Sequence, residues 1–150
     1  MAIEVRLLVA GDAALLASVA PEVFDNAPRA DLSAEFLNDP RHHLAAAIDD
    51  GVIVGFASGV HYVHPDKPAE LWINEVGVAP SHQGRRLGRA VLRLLLEEGR
   101  RQGCGEAWVL TDRSNAPARA LYASLGGADM EGDIVGVEFD LSRGSDRSSG

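Results

Sequence analysis

Residues 76–90 constrain this chain more than any other stretch. They pass from the apolar Val76 and Val78 through a loop carrying Pro80, Gly84, Arg85 and Arg86 into Leu87, Gly88 and Arg89. A strand that enters a helix through a cationic, glycine-containing loop aims unpaired backbone amides and the positive end of the helix dipole at one point, a local device for holding phosphate. The flanks agree. Alternation over 71–78 predicts a strand. Leu87, Val91, Leu94 and Leu95 recur at the i, i+4, i+7, i+8 spacing of a buried stripe. The helix is expected from about residue 84 to 102, stopped by Gly103 and Gly105.

The other elements are placed around this unit. A strand is expected at 3–9, then a helix at 13–19 capped by Asp12, interrupted by Pro21, and a second short helix ending at Asn38 and capped by Asp31 or Ser33. The acids of 20–42 (Glu22, Asp25, Asp31, Glu35, Asp39) suit either one wall of a ligand site or a merely solvated connection. Strands at 43–48 and 52–63 flank Asp49, Asp50 and Gly51, a hairpin signal because glycine accepts positive φ. A strand at 107–111, a helix at 116–125 and a last strand at 134–141 complete a single domain over 1–141; the Ser/Gly/Arg-rich residues 142–150 are expected to be disordered. The order β-α-α-β-β-β-α-β-α-β gives an α/β (α+β) class with a mixed sheet and helices on both faces.

Charge narrows the function. The net charge is −8, yet Arg85, Arg86, Arg89, Arg93, Arg100 and Arg101 cluster within 17 residues that hold only Glu97 and Glu98 as acids. The remaining 8 basic and 20 acidic residues leave a balance of −12. Non-specific nucleic-acid binding is disfavoured. One cationic helix on an acidic body suits an anionic cofactor and a cationic substrate, although a solvated helix face is the simpler alternative. There is no run of about 18 apolar residues to span a membrane and no basic-then-apolar leader pattern at the N-terminus. A lone Cys104 agrees with a reducing cytoplasm. The five histidines show no metal-ligand spacing, so no metal site is expected.

Neither a P-loop nor a Rossmann fingerprint is present. The loop instead fits Gln-x-x-Gly/Arg-x-Gly/Ala as Gln83, Gly84, Arg85, Arg86, Leu87, Gly88. About 30 residues on, Asn115, Ala118, Leu121, Tyr122 and Gly126 fit Asn-x-x-Ala-x-x-Leu-Tyr-x-x-x-Gly. Together these segments resemble the GNAT superfamily of N-acetyltransferases. The resemblance implies a mostly antiparallel mixed sheet splayed around acetyl-CoA, with pantetheine on the backbone of Val76 and Val78 and pyrophosphate on the loop from Gln83 to Arg89. It also implies that Asn115 lies near the pantetheine arm and that Tyr122 protonates the departing thiolate; the simpler alternative makes Leu121 and Tyr122 core residues. Where many members have glycine this chain has Arg86, which is accommodated if its φ is negative, as a first helical turn would make it. Gly77 is the expected site of a bulge. Glu75 occupies a position where the family often carries an acid, as anchor or base for the amine. Strict alternation puts it on the face of Leu71 and Ile73, and the alternative role for it is an internal salt bridge with an arginine.

Within the superfamily the chain looks most similar to aminoglycoside 3-N-acetyltransferases over most of 43–141. A polycationic acceptor would need several acids, and Glu75, Asp112, Glu138 and Asp140 are the candidates. The alternatives are another small amine or polyamine, a protein amine, or a non-catalytic acetyl-CoA-binding module. A homodimer through the last strand is a further expectation from the resemblance.

Overall fold

The computed structural model describes residues 2–142. Its sheet has five strands in sequence order: β1 (Glu4–Leu7), β2 (His42–Asp49), β3 (Val52–Tyr62), β4 (Glu70–Val78) and β5 (Glu106–Trp108). Neighbours are antiparallel except β4 and β5, which run parallel. The mixed sheet is the one anticipated. The hairpin between β2 and β3 turns through Asp50 (φ 52°) and Gly51 (φ 77°), two consecutive left-handed residues that match the twist of the strands they join.

The helices divide between the faces. α2 (Leu87–Arg101) buries Leu87, Val91, Leu92, Leu95 and Gly99, and its stripe meets the face that carries Gly59 and Leu71. α1 (Ala30–Asn38) lies on the opposite face, where Phe36 stacks on His42. Phe24, just before α1, stacks on Phe56 of β3 with ring centroids 4.0 Å apart. α3 (Ala116–Ser124) rests on the start of α2 through Leu121, and Asn115 Oδ1 caps it by accepting from the Ala118 N–H at 3.1 Å.

Several expectations are corrected. The first helix is a 3-10 segment, Ala10–Ala17, because the Asp12 carboxylate closes a tight turn on the Val9 N–H (2.8 Å) while Arg6 grips it from the side (2.8 Å). α2 begins at Leu87, three residues later than expected. β5 stops at Trp108, short of residue 111. Residues 134–141 form no strand. Three residues of β5 are too short a ladder to template another strand, and Phe139 and Leu141 stand 81% and 89% exposed. Of the expected disordered tail, residues 143–150 lie outside the described residues.

The bulge is real but displaced. The β3–β4 register shifts between Ser58, paired with Glu75, and Gly59, paired with Ile73, which leaves Asn74 as the extra residue. A Cβ on Gly59 would come 2.7 Å from the Trp72 carbonyl, so the chains approach too closely there for a side chain. Gly77 serves a different purpose: a Cβ there would lie 2.5 Å from the Val23 carbonyl. Its lack of a side chain admits the segment before α1.

Candidate active site

β4 and β5 hydrogen-bond only from Glu70↔Glu106 to Trp72↔Trp108, where the two indoles meet edge to face at 4.0 Å. Beyond that rung the strands part. The Ala79 N–H bonds the Val54 carbonyl at 2.8 Å, so antiparallel alternation turns residues 75 and 77 toward β3 and leaves the amides and carbonyls of Val76 and Val78 on the outer edge. The Val78 carbonyl accepts the Gln83 side-chain amide at 3.4 Å. An open cavity of about 1040 Å³ borders the fork, lined among others by Ile73, Leu96, Trp108, Asp112 and Tyr122.

The loop at the head of α2 has an unforeseen conformation. Gly84 (φ 80°) and Arg86 (φ 61°, ψ 24°) are both left-handed, and Arg85 between them is not among the positive-φ residues. Alternating handedness turns successive N–H groups inward, forming a concave nest for an anion. The expectation of a negative φ at Arg86 is therefore wrong. Arg86 is the helix N-cap rather than part of the first turn, and the nest requires the left-handed twist there. Nothing lies within 4 Å of a Cβ built on Gly84, so open space adjoins the amides.

The other loop residues divide by role. Arg85 and Arg86 are exposed. The Leu87 side chain is buried in the core, and only its backbone can serve a ligand. Gly88 packs against Val78 and Leu121. Arg89 donates to the Ser124 hydroxyl (3.3 Å) and carbonyl (3.2 Å), tying α2 to α3 instead of projecting into the nest.

His82, just before the loop, joins its Nε2 to Asp49 Oδ2 at 2.7 Å, pinning the loop to the hairpin. The sequence reading missed this tie, since 33 residues separate the partners.

The bulge overturns the expected facing of Glu75. Directly paired residues share a face, so Glu75 lies with Ser58, opposite Leu71 and Ile73. Burial and the charge of Asp25 push its carboxyl above the ordinary glutamate value. Asp25 is thus the acid that accompanies Glu75. Asp112 is exposed on the rim of the cavity beside Tyr122. Glu138 and Asp140 are exposed on the segment that forms no strand, and Asp140 binds Ser142. Burial raises the Tyr122 phenol above its usual value, which keeps it protonated at neutral pH. Among the described residues no group of three or more His, Cys, Asp or Glu is arranged to hold a metal, and no helix is long and apolar enough to cross a membrane.

A second, smaller cavity of about 400 Å³ opens on the Ser58 face, walled by Phe36, His42, Tyr62, Trp72 and Asn74. The wall assembles from four separated elements, α1, β2, β3 and β4, so neither Phe36 nor Trp72 is marked by local pattern.

The description of the Acetyltransferase (GNAT) family matches residues 13–127. The chain is 32% identical to an N-alpha-acetyltransferase RimI of Mycobacterium tuberculosis over 127 residues, covering 83% of this chain and 77% of the relative. It is 42% identical over 94 residues to a mycothiol acetyltransferase of Thermomonospora curvata, covering 61% of this chain but spanning only 30% of that protein. Among solved structures it resembles an aminoglycoside acetyltransferase from an uncultured soil metagenomic sample, with a TM-score of 0.71 and 26% identity, covering 92% of this chain and all of the other. None of these three names specifies 3-N transfer.

Proposed function

The chain belongs to the GNAT acetyltransferase family, and on that premise we propose that it transfers acetyl directly to the primary amine of a small molecule, with Glu75 receiving the amine and Tyr122 supplying the closing proton. It is an acetyl-CoA-dependent N-acetyltransferase of GNAT type. Acetyl-CoA, when bound, contributes an activated acetyl thioester. The residues fit it: the nest at 84–88 suits pyrophosphate, and the free outer edge at Val76 and Val78 suits the amides of the pantetheine arm.

The observation that carries the proposal is the pair of poised groups on either side of the β4 edge. Glu75, with its raised carboxyl pKa, attracts an ammonium and is basic enough to relay its proton before attack. Tyr122 on the cavity wall retains a proton that a thiolate can take, since the ordinary phenol (about 10) and thiol (about 8.5) values lie close. Asn115 supports this arrangement indirectly, by capping α3 and so fixing Tyr122 two turns along it.

The second reading, a polycation such as an aminoglycoside, is favoured by the acidic excess outside α2 and by the name of the soil-derived neighbour. A protein N-terminus is the counterpart suggested by the RimI relative. The test is thiol release from acetyl-CoA with Tyr122→Phe and Glu75→Gln. Tyr122→Phe should lower kcat by about 10–100-fold with unchanged coenzyme affinity, within the range of general acid catalysis. Glu75→Gln should raise the amine KM and abolish the acidic limb of the pH–rate profile. Wild-type kinetics in both variants would refute the assigned roles.

A further inference from the structure

We propose that the cavity between α1 and the sheet seats the body of the acceptor, and that the acceptor is a monoamine carried on a flat aromatic ring. This rests on the acetyltransferase reading and narrows its substrate class.

Position comes first. Ser58 lines the cavity and is also the register partner of Glu75, so the wall runs directly into the carboxylate that receives the amine. An acceptor anchored at Glu75 has this volume as its immediate room.

The lining then selects what fills it. Four of the eight lining residues are rings, and each is held by its neighbours. Phe36 stacks on His42 at 4.8 Å and 20°. The Tyr62 hydroxyl accepts from Trp108 Nε1 at 2.9 Å and donates to Glu70 Oε1 at 3.3 Å. Trp72 leans edge-on against Trp108 and donates to Asn74 Oδ1 at 3.3 Å. Fixed aromatic walls favour a flat partner by offset or edge-to-face packing.

Charge argues in the same direction. No acidic side chain lines the cavity. Glu70, on the neighbouring rung, is already engaged by Lys67 Nζ at 3.1 Å and by Tyr62. Asp39, 3.9 Å from His42 Nε2, is held by Arg41 at 3.1 Å. The acids Glu75 and Asp25 thus lie together at one end, and a cation carried deeper would enter an aromatic room without an acidic lining residue, at a desolvation cost.

The experiment compares kcat/KM for 2-phenylethylamine and tryptamine with that for kanamycin, spermidine and an alanine-terminated peptide, alongside acetyl-CoA binding measured by thermal shift. The ring amines should exceed the others by at least tenfold. Phe36→Ala should raise their KM about tenfold while the acetyl-CoA KM holds. Asn74→Asp, a change at an exposed rim position, should shift preference toward spermidine. Should kanamycin, spermidine or the peptide be the best acceptor, the acetyltransferase reading stands and this assignment is overturned. Acetyl-CoA binding without turnover of any amine would remove both. An acceptor KM indifferent to both substitutions would overturn the cavity's role.

Discussion

Gly77→Ala is the substitution for which the structure gives the most definite expectation. The new methyl would lie 2.5 Å from the Val23 carbonyl and 3.0 Å from Phe56 Cε1. Ordinary contact begins at 3.4 Å, so the carbonyl must retreat by roughly 0.9 Å. It is poorly placed to do so. The Val23 side chain is buried, and the next residue, Phe24, is stacked on the same Phe56 ring that blocks the methyl's other side. Overpacking of this kind costs about 1–3 kcal/mol. In a chain of this size that lowers Tm by roughly 2–12 °C. Two residues on, Asp25 should move away from Glu75, raising the acceptor KM, while Val76 and Val78 keep their outer edge and the acetyl-CoA KM is unchanged. Gly88→Ala is the control, because its methyl would meet nothing closer than 3.6 Å. The assays are thermal melts and steady-state kinetics with each substrate varied. A Gly77→Ala stability within about 0.5 kcal/mol of wild type, as for an ordinary surface change, would refute the claim that the close approach of Val23 fixes this residue.

Arg86→Gly should raise Tm slightly, since relief of the left-handed strain, roughly 1 kcal/mol, is partly offset by about 0.4–1 kcal/mol of added unfolded-chain entropy; a fall of several degrees would contradict the left-handed assignment. Asn115→Ala should cost about 1 kcal/mol in a denaturant titration through loss of the α3 cap, and should lower kcat through Tyr122. No stability change would show that the cap is dispensable. His43 is buried, joins His61 across 2.7 Å and lies 3.7 Å from Glu98. Burial first, then His61, holds its pKa below the ordinary imidazole value, against the pull of Glu98. The neutral form is thus the folded one, and its stability is fully present above pH ~6.5 and declines as pH falls below it. Melts at pH 7.5 and 5.5 should show a drop that His43→Gln reduces, and an identical drop in the variant would exclude the pair as its source.

Features settled by local pattern were legible in the sequence. The stripe of α2 needs only 3.6-residue periodicity, and the turn at Asp50 and Gly51 needs only residues that accept positive φ. Features settled by a partner were not. Alternation along β4 put Glu75 on the wrong face because the extra residue at Asn74 depends on how closely Gly59 lets the Trp72 carbonyl approach. Arg86 shows a side chain in the sequence but not a φ. Residues 135, 137, 139 and 141 carry a clean alternating apolar pattern, yet pattern alone supplies no neighbouring strand. The site was half legible for the same reason. Motif residues marked the proposed coenzyme edge, while Asp25, Phe36 and the aromatic cavity emerge only when distant segments are folded together.

The adjacency of Glu75 and Val76 in β4 also bears on the direction of approach. Consecutive residues send a side chain out of the sheet plane at Glu75 and backbone groups along that plane at Val76. In the proposed reaction, two reactants guided by these neighbours converge roughly at right angles, one in line with the sheet and one from above it. They can meet without first competing for the same opening, and neither needs a protein side chain to carry the acetyl group between them.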